Sequence, residues 1–133
     1  MEYPYKVYIT KEDVLKRGYD LTQTLSVDDQ GHIDATIDSF LEEVASTIYN
    51  LVLTKVSDPT IAKYICTLES YQNDIAMCQL EQAIYMIENG NLLSTSGEGT
   101  NLTLEDIRGA KAYSAIAYNQ VEAITKYLFG GIF

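Results

Sequence analysis

The sequence predicts an all-α fold: a bundle of four or five helices with an extended N-terminal arm and a flexible hydrophobic C-terminal tail. Three observations carry this. Over residues 32–54, Ile33, Ile37, Phe40, Leu41, Val44, Ile48, Leu51 and Val52 recur at intervals of three and four, the spacing of one helix face. Helix start signals stand at Thr10 with Asp13, at Asp58-Pro59 and at Thr103 with Asp106. Strand-like alternation is read only in the first nine residues. At 133 residues the chain is one domain's worth, able to bury roughly two-thirds of its unfolded surface. It divides into an arm at 1–9, a helical bundle at 10–128 and a tail at 129–133.

In the arm, Tyr3, Tyr5, Val7 and Ile9 alternate and Pro4 disfavours helix. Thr10 and Asp13 then form a variant capping box, opening a short helix that buries Val14 and Leu15 and stops near Gly18. Residues 19–31 read as a polar loop with Leu21, Leu25 and Val27 as inward plugs. The amphipathic helix over 32–54 carries Asp34, Asp38, Glu42 and Glu43 on its other face. Asp58 as N-cap and Pro59 at the first helical position restart the chain. One apolar stripe follows at Ile61, Tyr64, Ile65 and Leu68, and a second at Ile75, Leu80, Ala83, Ile84 and Ile87. Between them, Ser70–Asn73 interrupt the pattern and predict a break or bend. Gly90 is placed to end that helix. Residues 90–102 hold three glycines and read as a loop, long for a helix–helix connection. A last helix is expected from Thr103 to about Leu128, with Leu104, Ile107, Ala110, Tyr113, Ile116, Ala117, Val121, Ile124 and Leu128 inward.

Charge narrows the function. Nine Lys and Arg against 19 Asp and Glu give a net charge of -10, so the protein's own field repels phosphate backbones and argues against sequence-specific duplex binding. Nothing at the N-terminus resembles a signal peptide, and no run approaches the roughly 18 apolar residues of a membrane span. Cys66 and Cys78 stand 12 positions apart, about 18 Å on a continuous helix, so they are expected as free, buried thiols in a reducing compartment. The Asn101-Leu102-Thr103 sequon then has no role.

No catalytic constellation emerges. Asp28-Asp29-Gln30-Gly31-His32-Ile33-Asp34 matches the middle of a calcium loop. Ser26 and Ile37 fall where its first ligand and closing bidentate Glu belong, so a capping turn is the better reading and no metal is expected. His32, the only histidine, sits in that turn without a nucleophile beside it. The sequence holds no nucleophile elbow, Walker loop or zinc-protease motif, and the chain is expected to be neither an enzyme nor cofactor-dependent.

Three features do point to partners. No Lys or Arg occurs between Gly18 and Thr54 or between Tyr64 and Ile107, whereas Lys6, Lys11, Lys16 and Arg17 gather early. Tyrosine is abundant, 11 against 3 Phe and no Trp, and Tyr3, Tyr5 and Tyr8 lie in an arm too short to bury them alone. Finally, Phe129, Ile132 and Phe133 flank a Gly130-Gly131 hinge after the last helix. Each would forfeit roughly 1.5–3 kcal/mol in water, so with Tyr127 and Leu128 they form a candidate docking tail, and Tyr3 and Tyr5 join them as candidate partner-binding residues.

Val7-Tyr8-Ile9-Thr10-Lys11-Glu12-Asp13-Val14-Leu15-Lys16-Arg17 resembles the start of many tailed-bacteriophage head–tail connector proteins, also called adaptor or neck proteins. The resemblance continues through Ile33-Asp34-Ala35-Thr36-Ile37-Asp38-Ser39-Phe40-Leu41 to Ile61-Ala62-Lys63-Tyr64-Ile65-Cys66 and Asp74-Ile75-Ala76, covering about residues 7–90. It implies a virion protein at the head–tail junction, made in the bacterial cytoplasm and assembled as a homo-oligomeric ring, usually of twelve. Such rings sit beneath the portal protein, extend the DNA channel and meet the next neck or tail protein. The C-terminal segment would then dock on the portal. A channel wall should repel phosphates, which makes Asp28, Asp29, Asp34, Asp38, Glu42 and Glu43 candidate lumen residues past which DNA slides without specific binding. Head-to-tail ring contacts would set the early basic cluster against a neighbour's acidic face, so that salt weakens assembly. The alternative from another class is a small acidic DNA mimic that inhibits a host nucleic-acid-binding protein.

Overall fold

The computed structural model describes residues 3–25, 33–93 and 113–129, with side chains described within 3–23, at 25, and within 34–89 and 113–126. The described residues form six α-helices and no strand, so the chain is all-α. Thr10 is extended, and its hydroxyl accepts the Asp13 N–H at 3.4 Å while Asp13 Oδ2 accepts the Thr10 N–H at 2.9 Å. This reciprocal box opens α1, Lys11–Lys16. Gly18, at φ +100°, turns the chain out of it. Val14 is fully buried but Leu15, expected inside, is 53% exposed. The neighbouring residue on a helix lies about 100° around the axis, and only the Val14 side of α1 faces the bundle.

The stretch expected as plain loop contains a further helix, α2, Leu21–Thr24, because Asp20 caps the Thr22 N–H at 3.0 Å. One turn sets Leu21 and Leu25 on the same side, and both are buried as expected. Val27 lies outside the described residues.

The long periodic segment is α3, Ile33–Val56. Its face holds Phe40, Val44, Ile48 and Leu51 in the core, together with Thr47, whose hydroxyl donates to the Glu43 carbonyl at 2.8 Å and so enters the interior satisfied. Ser57, at φ 58°, and Asp58 are the whole connection to α4, Pro59–Thr67. Asp58 Oδ1 accepts the N–H groups of Thr60 and Ile61 at 2.9 and 3.4 Å. In α4, Ala62, Ile65 and Cys66 are buried, whereas Tyr64, assigned to the inner stripe, is 52% exposed.

Leu68 is extended and a 3₁₀ turn, Glu69–Tyr71, follows, which is the break expected near Ser70. It leads into α5, Gln72–Leu93. The helix does not stop at Gly90. Nothing there demands a positive φ, and a glycine in a helix interior costs only about 1 kcal/mol relative to alanine. Because the chain breaks between them, the two cysteines ride different helices, and the 18 Å separation of a continuous helix does not apply. Both are free and buried. Burial, and then each thiol's neighbourhood (Cys78 beside Cys66, Asp74 beside Cys78), pushes both up to about 12.

The last described helix is α6, Ala115–Phe129. Tyr113 and Ser114 precede it in non-helical conformation, so no single helix runs from Thr103 to Leu128. Ser114 closes its start, the hydroxyl accepting the Ala117 N–H at 3.3 Å. Ala117, Val121 and Ile124 point inward as expected, but Tyr113 and Ile116 are exposed. Residues 94–112, including the expected capping pair Thr103 and Asp106, lie outside the described residues.

Helices α3 and α5 form the spine. Toward the start of α3, Ile37, Phe40 and Val44 meet Met86 and Ile87 of α5 and are closed over by Ile9, Val14, Leu21 and Leu25. Toward its end, Ile48, Leu51 and Val52 meet Ile75 and Cys78 and are closed by α4 and α6. Fully burying each such side chain contributes roughly 1.5–3 kcal/mol.

Candidate functional site

The arm is held from beneath by one buried side chain. Gln79 of α5 is 1% exposed, and its Oε1 accepts the Tyr8 N–H at 2.9 Å while Nε2 donates to the Lys6 carbonyl at 2.7 Å. Tyr8 adds a hydroxyl donation to the Cys66 carbonyl at 3.2 Å, and burial raises its phenol pKa. Further out, the Tyr5 ring lies 5.9 Å from Tyr49 of α3 and 5.3 Å from Tyr3. Burial raises the Tyr5 pKa against a lowering hydrogen bond with Ser46. Of the two arm tyrosines proposed for partners, Tyr5 thus packs on its own α3, whereas Tyr3 stays exposed.

Between this arm and α3 lies a cleft of about 630 Å³. Val7, Ile9, Thr10, Lys11 and Glu12 make one wall, and Asp34, Ile37, Asp38, Leu41 and Glu42 make the other. On α3 the pattern follows from spacing alone. Asp34, Asp38 and Glu42 are four apart and stand in one exposed row, while Ile37 and Leu41, also four apart, turn toward the core behind it. Among the described residues of the lining, four carboxylates face one ammonium, that of Lys11. A smaller hollow of about 210 Å³ beside it joins Glu42 and Glu43 to Tyr5, Ser39 and Ser46. Four of the six candidate lumen acids therefore fall along one stretch of α3. Asp28 and Asp29 lie outside the described residues, as do His32 and the rest of the calcium-like turn before Ile33. Among the described residues no group of His, Cys, Asp and Glu is arranged to hold a metal.

A second surface lies on the pair of α5 and α6. Asp74 Oδ1 accepts from Gln120 Nε2 at 3.4 Å, Cys78 Sγ meets the Ala117 carbonyl at 4.0 Å, and Gln82 Oε1 accepts the Ser114 N–H at 2.8 Å. Rising numbers on α5 thus meet falling numbers on α6, so the two helices are antiparallel. Met77 follows Asp74 by three and Ile116 precedes Gln120 by four, which puts both on the outer side of the pair, at 55% and 58% exposure. Tyr113, just before the start of α6, is exposed as well. Sequence reasoning sent Ile116 and Tyr113 inward and passed over Met77.

Of the early basic cluster, Arg17 is committed within the chain: its guanidinium pairs with Glu81, which raises its pKa. Lys6, Lys11 and Lys16 are exposed. Ile132 and Phe133 of the proposed docking tail, and the side chains of Tyr127, Leu128 and Phe129, lie outside the described residues. The glutamines that organise the molecule were missed, although a signal existed. Gln79 follows Ile75 by four and Gln82 precedes Met86 by four, so both interrupt the apolar stripe of α5 rather than its polar face. No helix among the described residues is long and apolar enough to cross a membrane. No family model, curated protein or solved structure matches the chain.

Proposed function

We propose that this chain is a structural assembly protein of the tailed-phage head–tail connector kind, a helical subunit that joins copies of itself beneath a portal and leads DNA onward. The observation that carries the reading is the outer face of the α5–α6 pair. Met77 and Ile116 keep large apolar side chains in water on the outer side of two antiparallel helices, with exposed Tyr113 just before the second, a surface suited to a neighbouring protein. The net charge of -10 agrees with a protein that nucleic acid passes without adhering. The resemblance over residues 7–90 supplies the particular kind of assembly. The portal, a neighbouring copy and a downstream neck protein are the partners in this reading, with Tyr127–Phe133 as the portal-facing tail.

Mass photometry of the purified chain, alone and with the portal protein encoded in the same genome, tests the proposal. Rings, or a stoichiometric portal complex, are expected, and Ile116→Asp with Met77→Asp should abolish subunit association while leaving the helical spectrum intact. A chain that stays monomeric in both conditions and instead captures a host nucleic-acid-binding protein would replace this reading with the DNA-mimic one.

A further inference from the structure

We propose that the cleft between the arm and α3 binds an extended segment of a partner protein, one that alternates basic and apolar residues and pairs its backbone with the arm's outer edge. This goes beyond the connector reading and does not depend on it.

The arm supplies the edge. Lys6 offers its carbonyl and Tyr8 its N–H to the same Gln79 side chain, the two-residue alternation of extended backbone. The backbone groups of Val7 and Ile9 therefore point the other way. Among the described residues neither Val7 nor Ile9 takes any hydrogen bond, and these two residues line the cleft. An unpaired edge of this sort is a template for an added strand. Val7 is also 39% exposed, an apolar side chain left uncovered at that edge.

The dimensions admit an extended occupant. Asp34 to Glu42 spans about 12 Å of helix axis. A strand with a section of about 4.8 by 10 Å would fill about 580 Å³ over that length. The cleft measures about 630 Å³.

Charge and spacing select its sequence. Carboxylates one helical turn apart recur every ~6 Å. Alternate side chains of a strand recur every ~6.8 Å, so three basic residues on one side of the segment can each meet Asp34, Asp38 and Glu42. The intervening residues would face the apolar floor of Ile9, Ile37 and Leu41. A second copy of this chain does not fit, because no two of its nine Lys and Arg residues stand two apart. Nucleic acid is repelled by the same carboxylates.

The probe is a fluorescein-labelled capped peptide with the core Arg-Val-Arg-Val-Arg, titrated with the full chain and followed by anisotropy at about 100 mM salt. Two controls carry the same charge: the core N-methylated throughout, which has no N–H to donate to the edge's carbonyls, and the clustered core Val-Val-Arg-Arg-Arg. The alternating peptide should bind at least about tenfold more tightly than either control. Val7→Pro, which removes one edge N–H and leaves the Gln79 clamp its partners, should weaken it, as should Asp38→Asn with Glu42→Gln. A ratio below about tenfold against either control, or no binding at about 1 mM chain, overturns the proposal, since general attraction to an acidic surface would then suffice. If Val7→Pro does not fold, the peptide comparison on the unaltered chain still decides. Neither result touches the assembly test above, so the two readings fail separately.

Discussion

Replacing Gln79 by leucine removes the clamp on the arm while nearly conserving volume. Two backbone groups lose their partners at once, the Tyr8 N–H at 2.9 Å and the Lys6 carbonyl at 2.7 Å. Leaving one such group unsatisfied costs about 1–3 kcal/mol, so a docked arm would carry a penalty of about 2–6 kcal/mol. The arm has an escape. It can lift off, satisfy both groups with water and give up instead the burial of Ile9 and the packing of Tyr5 and Tyr8. For the single large aliphatic, Ile9, that forfeits roughly 1.5–3 kcal/mol. The cheaper route limits the loss, and Gln79→Leu should therefore cost about 2–4 kcal/mol. Urea unfolding followed by far-UV circular dichroism measures the loss. Hydrogen exchange at the Tyr8 amide shows whether the arm has left, and the helices should stay protected while that amide becomes fast. A loss below about 0.5 kcal/mol with the Tyr8 amide still protected would show that the clamp does not hold the arm.

Gly18→Ala should destabilise the protein by about 1 kcal/mol through backbone strain alone, because a methyl there meets nothing within 4 Å while φ is +100°. An unchanged urea midpoint would contradict this. Stability should also fall as pH rises above 9. Cys66 and Cys78 keep their protons to about 12 when folded but lose them near 9.0 when unfolded, and Tyr5, Tyr8 and Tyr19 are raised in the same sense. In that window the unfolded chain binds fewer protons, so alkali favours unfolding, and Cys66→Ala with Cys78→Ala should flatten the slope of urea midpoint against pH. The same burial predicts that Ellman's reagent labels neither thiol faster than the protein opens.

What could be read in advance was what is local. Thr10 with Asp13 and Asp58 with Pro59 set the starts of α1 and α4 because a cap needs only its own few residues. The length of α3 was legible because its apolar period persists for six turns and one face meets α5 throughout. Leu15, Tyr64 and Ile116 were misplaced for a common reason. Their periodicity is sound, but which side of a helix meets the bundle is settled by helices distant in sequence. Gly90 misled because a glycine permits a stop without compelling one. Of the site, the carboxylate row was visible as spacing on α3, but the apolar floor and the free edge behind it required the arm to fold back across 71 residues of sequence onto Gln79.

The corner between α3 and α4 leaves no slack. Ser57 turns into the left-handed region, its N–H reaching the Leu53 carbonyl at 2.7 Å, and Asp58 caps the next helix at once. Stop and start signals abut, so the angular setting of α4 is locked to that of α3 like two gears keyed on one shaft. One residue inserted after Ser57 would separate the two signals and release the setting of α4 that keeps Ile65 and Cys66 buried. A change in length at this corner is therefore felt at once in the packing of α4.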